Sequence, residues 1–261
     1  MKFLLYILAL LLVLPRAASA ACPDTPAQSG PIDIKVGTAI RTFVFRVPSG
    51  YDGKSPAPVV IAFHPGGSNA QYMQARFNIS KAWPEALALF PEGLGRTNEA
   101  GARPSWQTKQ GETDNRDIAF FDAMRAWVLE KHCADEKRIF VMGYSNGAML
   151  SSVLACERAK DIAAFALLSG RINCEPAVAR PVIIGHGLQD VTVAYDQGVT
   201  MMQAWSAKNS CAKPPAVGAV GCSAATSCSA ALVMCTHGGG HEYDLGFTAE
   251  VANMFKSVKP Q

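Results

Sequence analysis

At 261 residues the chain can form one large domain or two small ones and bury a substantial core. With 49% apolar and 17% charged residues it has ordinary globular composition, which excludes a disordered or collagen-like chain. The net charge is +3 overall and +1 without residues 1–20, which gives no electrostatic basis for a nucleic-acid or anionic-membrane partner.

Residues 1–20 read as a secretory signal: Lys2, an apolar run from Phe3 to Leu14, then Ala17-Ala18-Ser19-Ala20 as the cleavage site. The run is too short to span a membrane. Removing it takes away Lys2 and Arg16, so the mature part, residues 21–261, carries 22 basic against 21 acidic side chains. All eight cysteines lie in that mature part: Cys22, Cys133, Cys156, Cys174, Cys211, Cys222, Cys228 and Cys235. An even count in an exported chain predicts disulfides and a secreted or periplasmic destination. No C-x-x-C occurs among the last four, so a metal site is not expected.

Arg41–Val47 alternates like an outer strand and ends at Pro48. Pro58–Phe63 is a continuous apolar run, the pattern of a strand buried on both faces. A helix over Ala70–Arg76 and a strand over Ala86–Phe90 follow. Asp117–Lys131 reads as a helix with Ile118, Phe121, Met124 and Val128 on one face. Arg138–Gly143 is the next buried strand and Ala148–Arg158 the next helix. Ala164–Ser169 and Pro181–Gly185 are further strands, Gln197–Lys208 a helix with Asp196 as its N-cap, Ala231–Cys235 a strand and Thr248–Ser257 a closing helix. Residues 211–230 have no periodicity and read as a surface excursion pinned by disulfides. The alternation predicts a single α/β domain, a mostly parallel sheet covered by helices on both faces.

Gly143-Tyr144-Ser145-Asn146-Gly147 matches G-x-S-x-G and falls between a buried strand and a helix, where a nucleophile elbow must lie. A serine hydroxyl needs a base, and the base needs an acid to orient it. Asp190 and His241 each follow a predicted strand at the same sheet edge as Ser145 and are the leading acid and base. His237 competes with His241, and Asp196 and Asp244 with Asp190. His186 and His132 read as structural or surface residues. Asn146 N–H is one oxyanion donor. The second comes from the loop His64-Pro65-Gly66-Gly67; Pro65 has no N–H, which leaves Gly66 or Gly67. Trp106, Tyr72 and Trp205 are candidates for an aromatic acyl cleft, with core packing as the competing role.

His64-Pro65-Gly66-Gly67, Gly143–Gly147, Gly187-Leu188-Gln189-Asp190 and Gly240-His241 together resemble the secreted poly(3-hydroxybutyrate) depolymerase and feruloyl esterase group of carbohydrate esterase family 1. Cys133–Val141 and Trp205–Cys211 extend the resemblance over nearly the whole mature chain. It implies an α/β-hydrolase fold, Ser145 as nucleophile, Asp190 as acid, His241 as base, and a disulfide from Cys211 to Cys228. It also implies a serine esterase acting without metal or cofactor on small or oligomeric esters, either feruloyl- and acetyl-type polysaccharide esters or hydroxyalkanoate polyesters. An acyltransferase on the same triad and a non-catalytic binding protein on a hydrolase scaffold are the alternatives.

Overall fold

The structure, a computed structural model, describes residues 22–23, 27–95, 102–244 and 246–259. The expected signal, residues 1–20, lies outside them. In chain order the elements are β1 (Gly30–Val36), β2 (Ala39–Arg46), β3 (Ala57–Phe63), α1 (Ala70–Phe77), α2 (Ile79–Ala82), β4 (Leu87–Pro91), β5 (Leu94–Gly95) and β6 (Pro104–Ser105). They continue with α3 (Arg116–Lys131), β7 (Ala134–Tyr144), α4 (Asn146–Glu157), β8 (Ala164–Leu168), β9 (Val182–Gly187), α5 (Tyr195–Lys208), β10 (Gly221–Ala224), β11 (Leu232–His237) and α6 (Phe247–Ser257).

Nine strands form one sheet in the order β1-β2-β4-β3-β7-β8-β9-β11-β10. The run from β4 to β11 is parallel. The antiparallel additions are β1 and β2 at one edge and β10 at the other. Alternate residues of β3 serve opposite layers. Val59, Ile61 and Phe63 pack with Phe120, Met124, Leu150, Met201 and Trp205 from α3, α4 and α5. Val60 and Ala62 pack with Met73, Phe77, Val251 and Phe255 from α1 and α6. A strand covered on both faces must be apolar at every position, and β3 and β4 are buried throughout.

The excursion at 211–230 contains a short strand that the lack of periodicity hides. β10, with sequence Gly-Cys-Ser-Ala, pairs antiparallel with β11 and is tied to it by Cys222–Cys235. The other disulfides are Cys22–Cys133, Cys156–Cys174 and Cys211–Cys228. Edge strand β1, absent from the expectations above, does alternate as an outer strand should over Ile32-Asp33-Ile34-Lys35-Val36, with every second side chain turned inward. Asp196 sits inside the first turn of α5, whose N-cap is Ala194, so the expected capping role is not realised.

Arg41 is almost wholly buried. Its guanidinium donates to Asp117 Oδ1 at 2.9 Å and to the Glu92 and Arg116 carbonyls, and it lies over the Phe120 ring at 4.1 Å. The other Asp117 oxygen accepts the Gln107 N–H at 2.8 Å, which ties the segment after β6 to α3. Breaking a buried pair strands a charge, whereas removing both partners does not. Arg41→Leu or Asp117→Leu should each lower the unfolding free energy by about 3–5 kcal/mol in urea melts. The double replacement should cost clearly less than the sum of the two.

Candidate active site

Strand β7 ends at Tyr144 and helix α4 starts at Asn146, so Ser145 alone makes the turn. Its backbone sits at φ 55° and ψ −118°, a region costly for any residue with a side chain. Its N–H donates to the Leu168 carbonyl at 2.8 Å, which anchors the turn to β8. The flanking glycines are required by close packing. A Cβ on Gly143 would run into the Gly147 carbonyl, and one on Gly147 into the carbonyls of Phe63 and His64.

The structure brings Ser145, His241 and Asp190 together. Ser145 Oγ lies 2.8 Å from His241 Nε2, and His241 Nδ1 lies 2.7 Å from Asp190 Oδ2. They follow β7, β9 and β11, whose carboxyl ends share one rim of the sheet. The loops carrying His241 and Asp190 are laced to each other. Leu188 N–H donates to the His237 carbonyl and Gln189 N–H to the Gly239 carbonyl, both at 2.9 Å. Gly187 has no room for a Cβ beside the Gly240 carbonyl. The competing residues are elsewhere. His237 Nδ1 lies 4.0 Å from Glu242 Oε1, Asp244 accepts the Gly246 N–H, and Asp196 belongs to α5.

One further contributor carries no sequence signal beyond its place inside the elbow. Tyr144 stacks on the His241 ring at 5.5 Å between centroids, and its hydroxyl donates to the His241 carbonyl at 2.9 Å. Burial pushes the phenol up from its ordinary range, so it stays a donor.

The oxyanion candidates adjoin one another. A Cβ placed on Gly66 would lie 3.5 Å from Asn146 Cβ. Gly67 N–H is committed to the Pro104 carbonyl at 2.6 Å, which leaves Gly66 as the loop's candidate. Trp106, expected among the cleft aromatics, does a different job. It is 2% exposed, its backbone N–H donates to Asn146 Oδ1 at 2.8 Å, and its indole N–H donates to the His64 carbonyl at 2.7 Å. It therefore staples the Asn146 end of α4 to the loop after β3. His64 helps: its Nε2 accepts the Gly93 N–H, so its Nδ1–H is the group that meets the Pro65 carbonyl at 2.7 Å.

Trp205 cannot line a cleft either. It is fully buried against Phe165, at the end of β8 remote from Leu168 and the catalytic rim. The apolar burial available to an indole on α5 outweighs any surface role. Tyr72 stays partly exposed on α1 beneath Arg76. A cavity of about 240 Å³ opens beside the His241 loop, lined by Leu168, His186, Thr236, His237, Glu242 and Phe247 among others.

Residues 52–213 match the dienelactone hydrolase family, and the chain belongs to that family. It is 28% identical over 242 residues to feruloyl esterase C of Emericella nidulans, covering 87% of this chain and 84% of that protein. It is 29% identical over 181 residues to a probable feruloyl esterase C of Aspergillus niger, a match covering 66% of this chain and 63% of that protein. Among solved structures, the acetyl xylan esterase from Aspergillus awamori superposes with a TM-score of 0.66 at 15% identity, over 87% of this chain and 99% of that one. The Bacillus cereus carboxylesterase gives 0.61 at 16% identity, over 83% and 93%. The fold is that of the α/β-hydrolases.

The glycine contacts make a stability prediction. Gly143→Ala and Gly147→Ala should each lower the melting temperature by roughly 5–10 °C, as overpacking against backbone does. Gly66→Ala, which meets only ordinary contact, should change it by less than about 2 °C in the same thermal scan.

Proposed function

We propose that the chain is an exported serine esterase that cleaves carboxylic esters through an acyl-enzyme on Ser145. The reading rests on one observation, the unbroken hydrogen-bond line from Ser145 Oγ through the His241 ring to Asp190 at the sheet's rim. In that line His241 Nδ1–H donates to Asp190, which leaves Nε2 free to accept the Ser145 hydroxyl proton. As that proton leaves, Oγ bonds to the ester carbonyl carbon and the carbonyl oxygen takes up the negative charge. The N–H groups of Asn146 and Gly66 are placed to receive it, near the positive end of α4. His241 then returns the proton to the departing alcohol, leaving the acyl group on Ser145. Water repeats the sequence and releases the acid.

Feruloyl and acetyl esters of plant polysaccharide are the proposed substrates, on the strength of the feruloyl esterases among the similar proteins. Four disulfides among the described residues support export to an oxidising compartment.

Ser145→Ala should abolish hydrolysis of 4-nitrophenyl acetate and labelling by a fluorophosphonate probe while the circular dichroism spectrum is unchanged; retained turnover would remove Ser145 from its role. Methyl ferulate and acetylated xylan should be turned over faster than hydroxybutyrate oligomers, and the reverse order would move the substrate class to polyesters. Added alcohol should not divert most of the acyl group; a dominant transesterification product would make the protein an acyltransferase. Trp106→Phe keeps the ring but loses the indole donor to the His64 carbonyl. It should lower kcat by about tenfold with little change in KM, since it loosens donors that act on the transition state.

A further inference from the structure

Both carboxylate oxygens of Asp190 are held by protein donors. Oδ1 accepts the N–H groups of Thr192 and Val193, both at 2.9 Å. Oδ2 accepts from His241 and also faces a second imidazole, His186, whose Nε2 stands 3.4 Å away. His186 lies at the end of β9 with its side chain shut off from solvent. Its tautomer follows from its neighbours. Nε2 lies 2.8 Å from the Val193 carbonyl as well as near the Asp190 carboxylate, and both are acceptors. The ring proton therefore sits on Nε2. Nδ1 is buried and has no partner among the described residues. Burial pulls the imidazole below the ordinary histidine range and keeps it neutral.

The facing helix is built around this ring. Gly198 lies within α5, where a Cβ would run into His186 Nδ1. Glycine inside a helix costs about 1 kcal/mol relative to alanine. Tyr195, one turn earlier, closes the other side edge-on at 6.0 Å between centroids. A ring needed only to fill space would not require a helix thinned at the point of contact or a buried nitrogen left without a partner.

We propose that His186 is a positioning residue for the catalytic acid: its Nε2–H, shared between the Val193 carbonyl and Asp190 Oδ2, holds the carboxylate in the rotation that meets His241. The proposal rests on the triad reading above. Without that donor the carboxylate can turn away from His241. A carboxylate turned away also stabilises the imidazolium that His241 must form in the reaction less well. The titratable groups facing the two histidines are Asp190, Tyr144 from β7, Tyr195 from α5, His237 from β11, and Glu242 beside His241.

The test compares His186→Phe with His186→Gln in the full chain, measuring kcat, KM and the pH profile for 4-nitrophenyl acetate together with the melting temperature. Phenylalanine fills the space without a donor; the glutamine amide N–H reaches where Nε2 was. His186→Phe should lower kcat about tenfold at unchanged KM and move the acid limb of the profile down by about half a pH unit. His186→Gln should recover most of kcat and return the limb to its original place. Equal losses in both variants, or wild-type kcat and limb in both, would overturn the proposal. If His186→Phe does not fold, Gly198→Ala decides instead, because it keeps every polar group and only displaces the ring. A kcat reduced severalfold supports the positioning role, and wild-type kcat refutes it. Ser145→Ala in the same assay separates the two levels: turnover that persists there removes the triad reading, and this one with it.

Discussion

Helix α4 begins in contact with the end of β3, because position 147 carries no side chain and its backbone rests against the Phe63 and His64 carbonyls. That approach does two things at once. It bends the chain after β7 so sharply that Ser145 is forced into a left-handed turn and presented at the rim. It also carries the loop after β3 up to the first residue of the helix, so that Gly66 and Asn146 lie side by side. The strained turn at Ser145 and the closeness of Gly66 to Asn146 thus share one packing distance, which the bonds of Trp106 then hold.

Around this contact the polar groups form a supporting frame rather than a scatter of bonds. Trp106 joins the two donor segments through its backbone and its indole. The next residue, Gln107, is held by Asp117, which is neutralised by Arg41 reaching in from β2. A charge pair buried this deeply is poor evidence of stability in itself. Its position explains it better, since it fixes the stretch that ties the loop after β3 to α4. Asp190 is framed in the same manner by Thr192, Val193 and the paired loops 187–190 and 237–241.

The parallel core and the convergence of Ser145, Asp190 and His241 were legible in the sequence because their causes are local or chemical. Continuous apolar runs mark β3 and β8, and a Gly-x-Ser-x-Gly turn makes sense only where strand meets helix. What stayed hidden depends on partners far along the chain. β10 is four small residues whose strand character comes from β11 and a disulfide. The two tryptophans assigned to a cleft are buried, one by the core and one by the carbonyl it binds, and an indole's spacing does not reveal which neighbour will cover it. Tyr144 and His186 carry no motif of their own. Their importance is visible only once the rings they touch are in place.

The four cross-links differ greatly in the length of chain they enclose: 18, 17 and 13 residues for three of them, and 111 for Cys22–Cys133. Ring closure penalises long spans only slowly, but a chain that emerges amino end first meets them at very different times. Cys22 waits, unpaired, while six strands and three helices are made, and its partner arrives only as β7 begins. Ala57 N–H then binds the Cys133 carbonyl, setting β3 beside β7. The tie from the amino end to the start of β7 therefore cannot close until the whole first half of the chain has been made.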